Sequence, residues 1–392
     1  MILDYTFPPD PRVENEAISL IKAGHEVFLF CLNFTNEKER EVINGINVCR
    51  YKCTILDYKL SALSYTVPLY SLLMKPRIKA FIIENKIEAL HIHDIRIADA
   101  VFKANKEFNL PTVLDLHDNM PEVMKLYPHL QKFPGKYIIS PEKWKVKEEQ
   151  FIQKATKIIT VSNEFIEEVV VRTNIASDKI VLVPNTIRES FYKEVTINDS
   201  ITERYKDKKV VLYLGDTHIR RGLQTAIAAV KELSTEIPEI KLVIVGKNST
   251  DTILKKQVAD LSIEEFVDFE GWQNVLLFPS YIKASTVCIS PLHRNIQHDV
   301  AYANKIFQYM SFAKALLVSD AVAQKKLIER VGSGLVHKER SVADFKIKLV
   351  TLFDNPDERK NMGWKGKEFI ENEFTWEQTS KNLLHLYDNI IS

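Results

Sequence analysis

The 392-residue chain lacks a net charge of either sign: 53 lysines and arginines stand against 52 aspartates and glutamates, leaving +1. Proteins that bind nucleic acid by neutralising phosphates need a basic excess, so no nucleic-acid partner is expected. No apolar run approaches the roughly 20 residues of a membrane span, and no signal peptide opens the chain. Only four cysteines occur (Cys31, Cys49, Cys53 and Cys288), with no CxxC and no Cys/His ligand set. Reduced, structural thiols in a cytoplasmic protein are the expectation. Internal repeats and low-complexity tracts are also missing.

What is present fits a soluble globular protein, with 45% apolar and 27% charged residues. The length exceeds one ordinary core, so two domains are expected. Short apolar runs alternate with helix-length segments: Val27–Phe30, Ala89–His93, Thr112–Leu116, Lys157–Val161 and Ile180–Val183. After a hydrophilic stretch at 189–208 the rhythm restarts with Val210–Leu214, Leu242–Val245, Thr286–Ser290 and Ala315–Val318. Strands separated by helices imply parallel sheets covered on both faces. The fold class expected is therefore α/β, with two doubly wound domains, 1–188 and 189–374. In such domains ligands lie beyond the carboxyl ends of the strands, which makes the cleft between the halves the default site. The last forty residues read as helical, with Thr375 as an N-cap.

Several strand-end segments carry chemistry. Phe7-Pro8-Pro9-Asp10-Pro11-Arg12 is a rigid turn leading into a helix. His91 and His93 share one strand face by two-residue alternation, and His117 closes a later strand beside Asp118. A strand-end histidine is either structural or functional, and spacing leaves both open. No His/Asp/Glu set has metal-ligand spacing, so no metal is expected; a metal-bound phosphate near Asp115 and Asp118 is the weaker alternative. Gly215, after the first strand of the second half, lets backbone approach a ligand. Arg221, read as opening a helix, can grip a diphosphate bidentately. Gly246-Lys247 is a second strand-to-loop glycine. In the helix opening on Asn304-Lys305, Ile306, Phe307, Met310 and Ala313 face inward at helical spacing. Lys305 and Gln308 are left facing the loop end of the strands, where a helix N-terminus favours phosphate. A solvated helix face is the competing reading.

Together these segments resemble the GT-B glycosyltransferases, most closely glycosyltransferase family 4, whose members are retaining nucleotide-sugar enzymes. The matching stretches run in family order along nearly the whole chain: FPPDPRVENEA, AGHEV, LHIHD, DLHDNMPE, ATKIITVSNEF, VLVPNTI, YLGDTHIRRGL, NKIFQYMSFAKALLVSD, GSGLV and FTWEQTSKNLLHLYDNI. The resemblance implies two Rossmann-like domains facing a central cleft, donor on the C-terminal one and acceptor mainly on the N-terminal one. The helix 375–392 is implied to cross back onto the N-terminal domain, making Trp376 structural.

By the same resemblance, His117, Arg221 and Lys305 carry catalysis. Gly215, Arg220, Gly246, Asn304, Lys305, Ile306 and Gln308 hold the nucleotide, with Gln308 at the ribose hydroxyls and Lys305 beside the pyrophosphate. His117 approaches the donor sugar and the acceptor hydroxyl. No cofactor and no metal are implied; the donor is a UDP- or GDP-sugar. The implied activity is hexosyl transfer to a glycan or lipid-linked acceptor in surface polysaccharide biosynthesis, with retention.

The chain departs from the family pattern at four places. Gln308 replaces a glutamate, and Asp216 stands where many relatives carry an arginine. Ala313-Lys314-Ala315 replaces Gly-x-Pro. The first strand, starting at Met1-Ile2-Leu3-Asp4, is short enough to expose core and to suggest an upstream start. These departures keep two alternatives open: a non-catalytic GT-B protein binding glycan or a partner enzyme, and a nucleotide-sugar epimerase of the same fold. Residues 125–147 interleave Lys125, Lys132, Lys136, Lys143, Lys145 and Lys147 with Leu126, Tyr127, Leu130, Phe133, Tyr137, Ile138 and Ile139. That mix suits peripheral contact with anionic lipid, so the expected location is the cytoplasm, extending to the inner face of the membrane.

Overall fold

The computed structural model describes residues 1–127, 130, 132–133 and 135–391. The chain divides into two compact units, Met1–Asn185 with Thr379–Ser392, and Thr186–Gln378.

Unit 1 contains β1 (Phe28–Asn33), β2 (Arg40–Ile43), β3 (Ile46–Lys52), β4 (Leu90–His93), β5 (Thr112–Leu116), β6 (Lys157–Thr160) and β7 (Ile180–Leu182). β1 pairs with β3 in parallel, and β2 folds back on β3 across Asn44-Gly45, both at positive φ. Two residues at positive φ are what a tight hairpin turn requires. β4, β5, β6 and β7 form a parallel run. Ile2 joins the two groups, bridging Phe30 on one side and Ile92 on the other. Ile2 N donates to His91 O at 2.7 Å and Leu3 N to Phe30 O at 2.9 Å. The short first strand therefore leaves no gap there: Ile2 is fully buried. The spatial order is β2-β3-β1-Ile2-β4-β5-β6-β7, so chain order reverses between Ile2 and β4.

Unit 2 holds β8 (Lys209–Leu214), β9 (Ile240–Val245), β10 (Val267–Gly271), β11 (Val287–Ser290), β12 (Leu316–Ser319) and β13 (Gly334–His337). All pair in parallel, in the order β10-β9-β8-β11-β12-β13. This is the 3-2-1-4-5-6 order of a dinucleotide-binding fold, with its switch point between β8 and β11. Alternate side chains feed two cores, as strand geometry demands. Val211, Tyr213 and Ile244 pack on one face, Leu212, Leu214 and Val243 on the other.

The C-terminal segment is divided between the units. The turn Trp376–Thr379 starts in unit 2, where Trp376 N donates to Ile187 O at 2.8 Å. The helix Lys381–Ile390 belongs to unit 1, where Asn382 Nδ2 donates to Leu182 O at 2.9 Å. Thr375 stands directly before the turn Trp376–Thr379, in the arrangement of a capping box with Gln378. Its N–H and hydroxyl both donate to Gln378 Oε1. All four cysteines are free and buried.

Candidate active site

In unit 2 two glycines shape the strand ends. Gly215 has φ +109, and its N–H donates to Val245 O at 2.8 Å. Gly246 has φ +153, and a Cβ there would lie 1.8 Å from Gly215 O. Only glycine fits such a crossing. The space beside Gly215 belongs to Lys305, whose Nζ stands 3.4 Å from where a Cβ would sit. The same Nζ lies 3.4 Å from the centre of the Tyr213 ring, a cation–π contact. It has no hydrogen-bond partner among the described residues. Burial, then the nearby Arg221, hold this ammonium's pKa well below its ordinary value.

Asp216 follows at once. It accepts from Arg221 Nε at 3.1 Å and from Asn248 Nδ2 at 2.7 Å. Arg221 closes a 3-10 turn, Ile219–Arg221, and does not itself open a helix. Gly222 follows at φ +76, where a Cβ would meet Pro291 O at 1.8 Å, so this turn presses against the end of β11. The helix Lys305–Ser311 is held to β8 by Leu214 N, which donates to Tyr309 Oη at 2.8 Å.

In unit 1 an ionic network spans the helix Pro11–Lys22, β4 and β5. Arg12 grips Asp115 with two bonds of 2.8 and 2.7 Å and reaches Glu16 at 3.0 Å. His93 Nδ1 stands 3.2 Å from Asp115, and His91 Nε2 stands 3.2 Å from Glu16. Glu16, His91, His93 and Asp115 thus bring metal-type ligand atoms within 4.8 Å of one another, a convergence that sequence spacing did not reveal. Arg12 already occupies both carboxylates, so the charge a cation would need is taken. Burial pushes Glu16 up to about 8 against the pull of Arg12.

His117 lies two residues beyond Asp115, with Nε2 3.3 Å from Asp94 and Nδ1 3.5 Å from Asp115. Burial opposes its charge, but Asp94 and Asp115 outweigh that and raise the imidazole to about 10. Asp94 sits at φ +63, unusual for a residue with a side chain, and its Oδ1 is buried without a partner.

Residues 195–369 match the family described as "Glycosyl transferases group 1", and residues 12–191 match "Glycosyltransferase Family 4". The chain belongs to the GT-B glycosyltransferases, family 4-like. An uncharacterized glycosyltransferase of Methanocaldococcus jannaschii is 21% identical over 192 residues, 49% of this chain. That alignment spans only 48% of the relative's own length. A second one from the same organism is 21% identical over 396 residues, covering 95% of this chain and 91% of the relative. Among solved structures, sucrose-phosphate synthase from Thermosynechococcus elongatus superposes with TM-score 0.76 at 18% identity, covering 96% of this chain and 92% of its own. Anabaena HepE in complex with UDP gives TM-score 0.74 at 12% identity, covering 99% of each chain. Both likenesses are of fold.

The glycosyltransferase gathers most of the expected nucleotide residues in unit 2. Gly215, Arg220, Arg221, Gly246, Asn304, Lys305 and Gln308 lie around the carboxyl ends of β8 and β9 and the start of the helix Lys305–Ser311. His117 belongs to unit 1. The Ile306 side chain is fully buried in the core, as its spacing predicts, so it does not reach the strand ends with the other residues implied at the nucleotide, and its N–H donates to Ala303 O at 2.9 Å. Lys305 faces the strand end at Gly215, as expected, and is buried there, unlike the solvated helix face of the competing reading. Sequence reasoning missed Arg12, Asp94 and His298. The His298 ring is largely buried, with Nδ1 2.7 Å from His293 O and Nε2 unpartnered. Burial first, then Arg221 and Arg220, hold it down at about 4.

Proposed function

We propose that this glycosyltransferase moves a hexose from a nucleoside-diphosphate donor to a glycan or lipid-linked acceptor in surface polysaccharide biosynthesis, with retention and without a metal. The observation that carries this reading is Lys305: a buried amine without a hydrogen-bond partner among the described residues, beside the glycine-lined ends of β8 and β9. Burial disfavours its charged form, and a diphosphate is the anion that would restore the charge. Arg221, 3.1 Å from Asp216, stands beside it as the second cation.

In the proposed reaction the anomeric C–O bond breaks and its electron pair leaves with the diphosphate. Fixed cations stabilise that developing charge, commonly the largest catalytic contribution. The acceptor oxygen bonds the anomeric carbon on the face the diphosphate leaves, and its proton passes to a phosphate oxygen. His117, held in its charged form by Asp94 and Asp115, is the residue proposed to act on the acceptor side. Gln308 hydrogen-bonds the ribose diol through its amide.

Exposed Phe133, Tyr137 and Ile138 beside Lys132, Lys136 and Lys143 favour work at an anionic membrane surface. The expected location is the cytoplasm and its membrane face.

The test is turnover and ligand-induced stabilisation with UDP- and GDP-sugars. A ligand at 100 times its dissociation constant adds about 2.7 kcal/mol of stability. Arg221→Ala and Lys305→Ala should each lower turnover by about 100-fold or more while the unliganded protein melts as a folded one. Near-normal turnover in both would remove the diphosphate site. The second reading, a non-catalytic binder, draws on Asp216, which already engages Arg221. It gains if Gln308→Glu yields no transfer from any donor that binds.

A further inference from the structure

The switch point of unit 1 lies between Ile2 and β4, so the loops leaving them, Asp4-Tyr5 and Asp94–Arg96, frame the crevice where such a fold takes its ligand. That crevice is lined by rings. Tyr5, Phe34 and Tyr58 form a mutual cluster with centroid separations of 6.1, 5.8 and 5.2 Å. Tyr5 remains 51% exposed. The Arg96 guanidinium lies 5.4 Å from the Tyr58 ring centre and donates to its hydroxyl. Two residues earlier, Asp94 holds His117 and keeps one buried oxygen unpartnered.

Resting on the glycosyltransferase reading, we propose that this crevice binds the terminal residue of the acceptor as an uncharged pyranose, its C–H face on Tyr5 and a hydroxyl on Asp94. A sugar ring offers both parts of that complement: an apolar face for aromatic rings and hydroxyl donors for an acceptor oxygen. An anionic acceptor end fits poorly. Arg96, the cation present, is already engaged by Asp4 at 3.6 Å and by Tyr58. Asp4 and Asp94 would both repel a phosphate or carboxylate. The strained backbone at Asp94 points the same way, since such conformations cluster at ligand sites. The hydroxyl that Asp94 receives would lie beside His117, where an attacking acceptor oxygen has to be.

The experiment is saturation-transfer NMR with methyl glycosides of glucose, galactose, mannose and N-acetylglucosamine, and with methyl glucuronide as the anionic comparison. Wild type should transfer saturation to the C–H protons of one ring face of at least one neutral glycoside, and far less to the glucuronide. Tyr5→Ala and Tyr5→Leu should each weaken this at least fivefold and Tyr5→Phe should preserve it. Trp364→Ala, an exposed ring of unit 2, should change nothing. Thermal shift by UDP and GDP reads the donor site separately. If nucleotides stabilise the protein but no neutral glycoside binds, or if the ring-less Tyr5 variants bind like wild type, the acceptor assignment falls alone. If glycosides bind and no nucleotide does, the transferase reading falls. A Tyr5→Ala effect on vesicle binding in place of glycoside binding would make the rings a membrane contact and overturn the proposal.

Discussion

An imidazole held between two carboxylates titrates unlike one in water. His117 has Asp94 and Asp115 within 3.5 Å, with Asp118 adding to the field, while Arg12 neutralises much of Asp115. Asp94 should therefore be the partner that sets its charge. Because the folded pKa is raised from 6.5 to about 10, the stability His117 contributes is fully present below pH 6.5 and is lost as pH rises through about 10. In the Asp94→Asn variant the His117 pKa should fall by roughly 1 to 3, seen directly as the midpoint of its ring-proton NMR titration. An unchanged midpoint would assign the shift to Asp115. The sequence made His117 visible because it closes an apolar run. Asp94 was invisible: its positive φ and orphaned oxygen arise only when β4 and β5 are paired. Arg12 was hidden likewise, since its partner Asp115 is 103 residues away.

The helix Lys305–Ser311 shows how far periodicity reaches. Ile306, Phe307 and Met310 pack inward as spacing predicts, yet Lys305 is buried too. Lys305 faces the strand end at Gly215, as expected, but its burial against the Tyr213 ring was not legible, because a helical period cannot report what stands opposite. The depressed Lys305 pKa has a consequence for binding. Between that pKa and 10.5 the unfolded chain holds more protons, so this group's contribution to stability rises with pH. A diphosphate restores the charge, so donor binding should take up a proton. Calorimetry in buffers of different ionisation enthalpy should show uptake in wild type that Lys305→Met abolishes; equal uptake in both would place the proton elsewhere. The turn that follows carries Ala313 at φ +54, a conformation costing a side chain about 1 kcal/mol or more. Ala313→Gly should stabilise the protein by about 0.5 kcal/mol, the strain relief exceeding glycine's entropy loss; chemical denaturation checks it, and a loss would mean the methyl packs usefully. Apart from β3, which is mostly buried between β1 and β2, the strands that escaped sequence reading share a physical reason. β2, β10 and β13 are edge strands, half-exposed along most of their length, so no continuous apolar run marks them. The central strands β4, β5, β11 and β12 are buried at every residue and were all legible.

Both units of the molecule repeat one plan, a largely parallel sheet whose chain order reverses at a switch point, with polar residues gathered there and, in unit 2, glycines as well. That duplication explains why the alternation of apolar runs and helices restarts after 189–208, and why site residues recur after strands in both halves. It also leaves other surfaces to other tasks. Among the described residues no helix is long and apolar enough to cross a membrane. Unit 1 nevertheless exposes 85% of Phe133 and 78% of Tyr137, next to Lys132 and Lys136. The expected patch is narrower than the sequence suggested. Leu130 is buried, Lys125 is paired with Glu122 at 2.8 Å, and part of the stretch lies outside the described residues. Thr66 donates to Ile138 O at 2.8 Å, which brings exposed Val67 and Leu69 into the same region. A lysine near an anionic surface contributes about 1 kcal/mol, screened by salt, while buried rings add binding that salt does not weaken. Sedimentation with anionic vesicles should therefore show two separable components. Lys132→Glu with Lys136→Glu should remove the salt-sensitive part, and Phe133→Ala with Tyr137→Ala should remove the part surviving high salt. Neither pair touches the residues assigned to the donor, so nucleotide-induced stabilisation should stay at the wild-type level in both. Equal partitioning of wild type to neutral and anionic vesicles would instead mean that the lysines only solubilise this face.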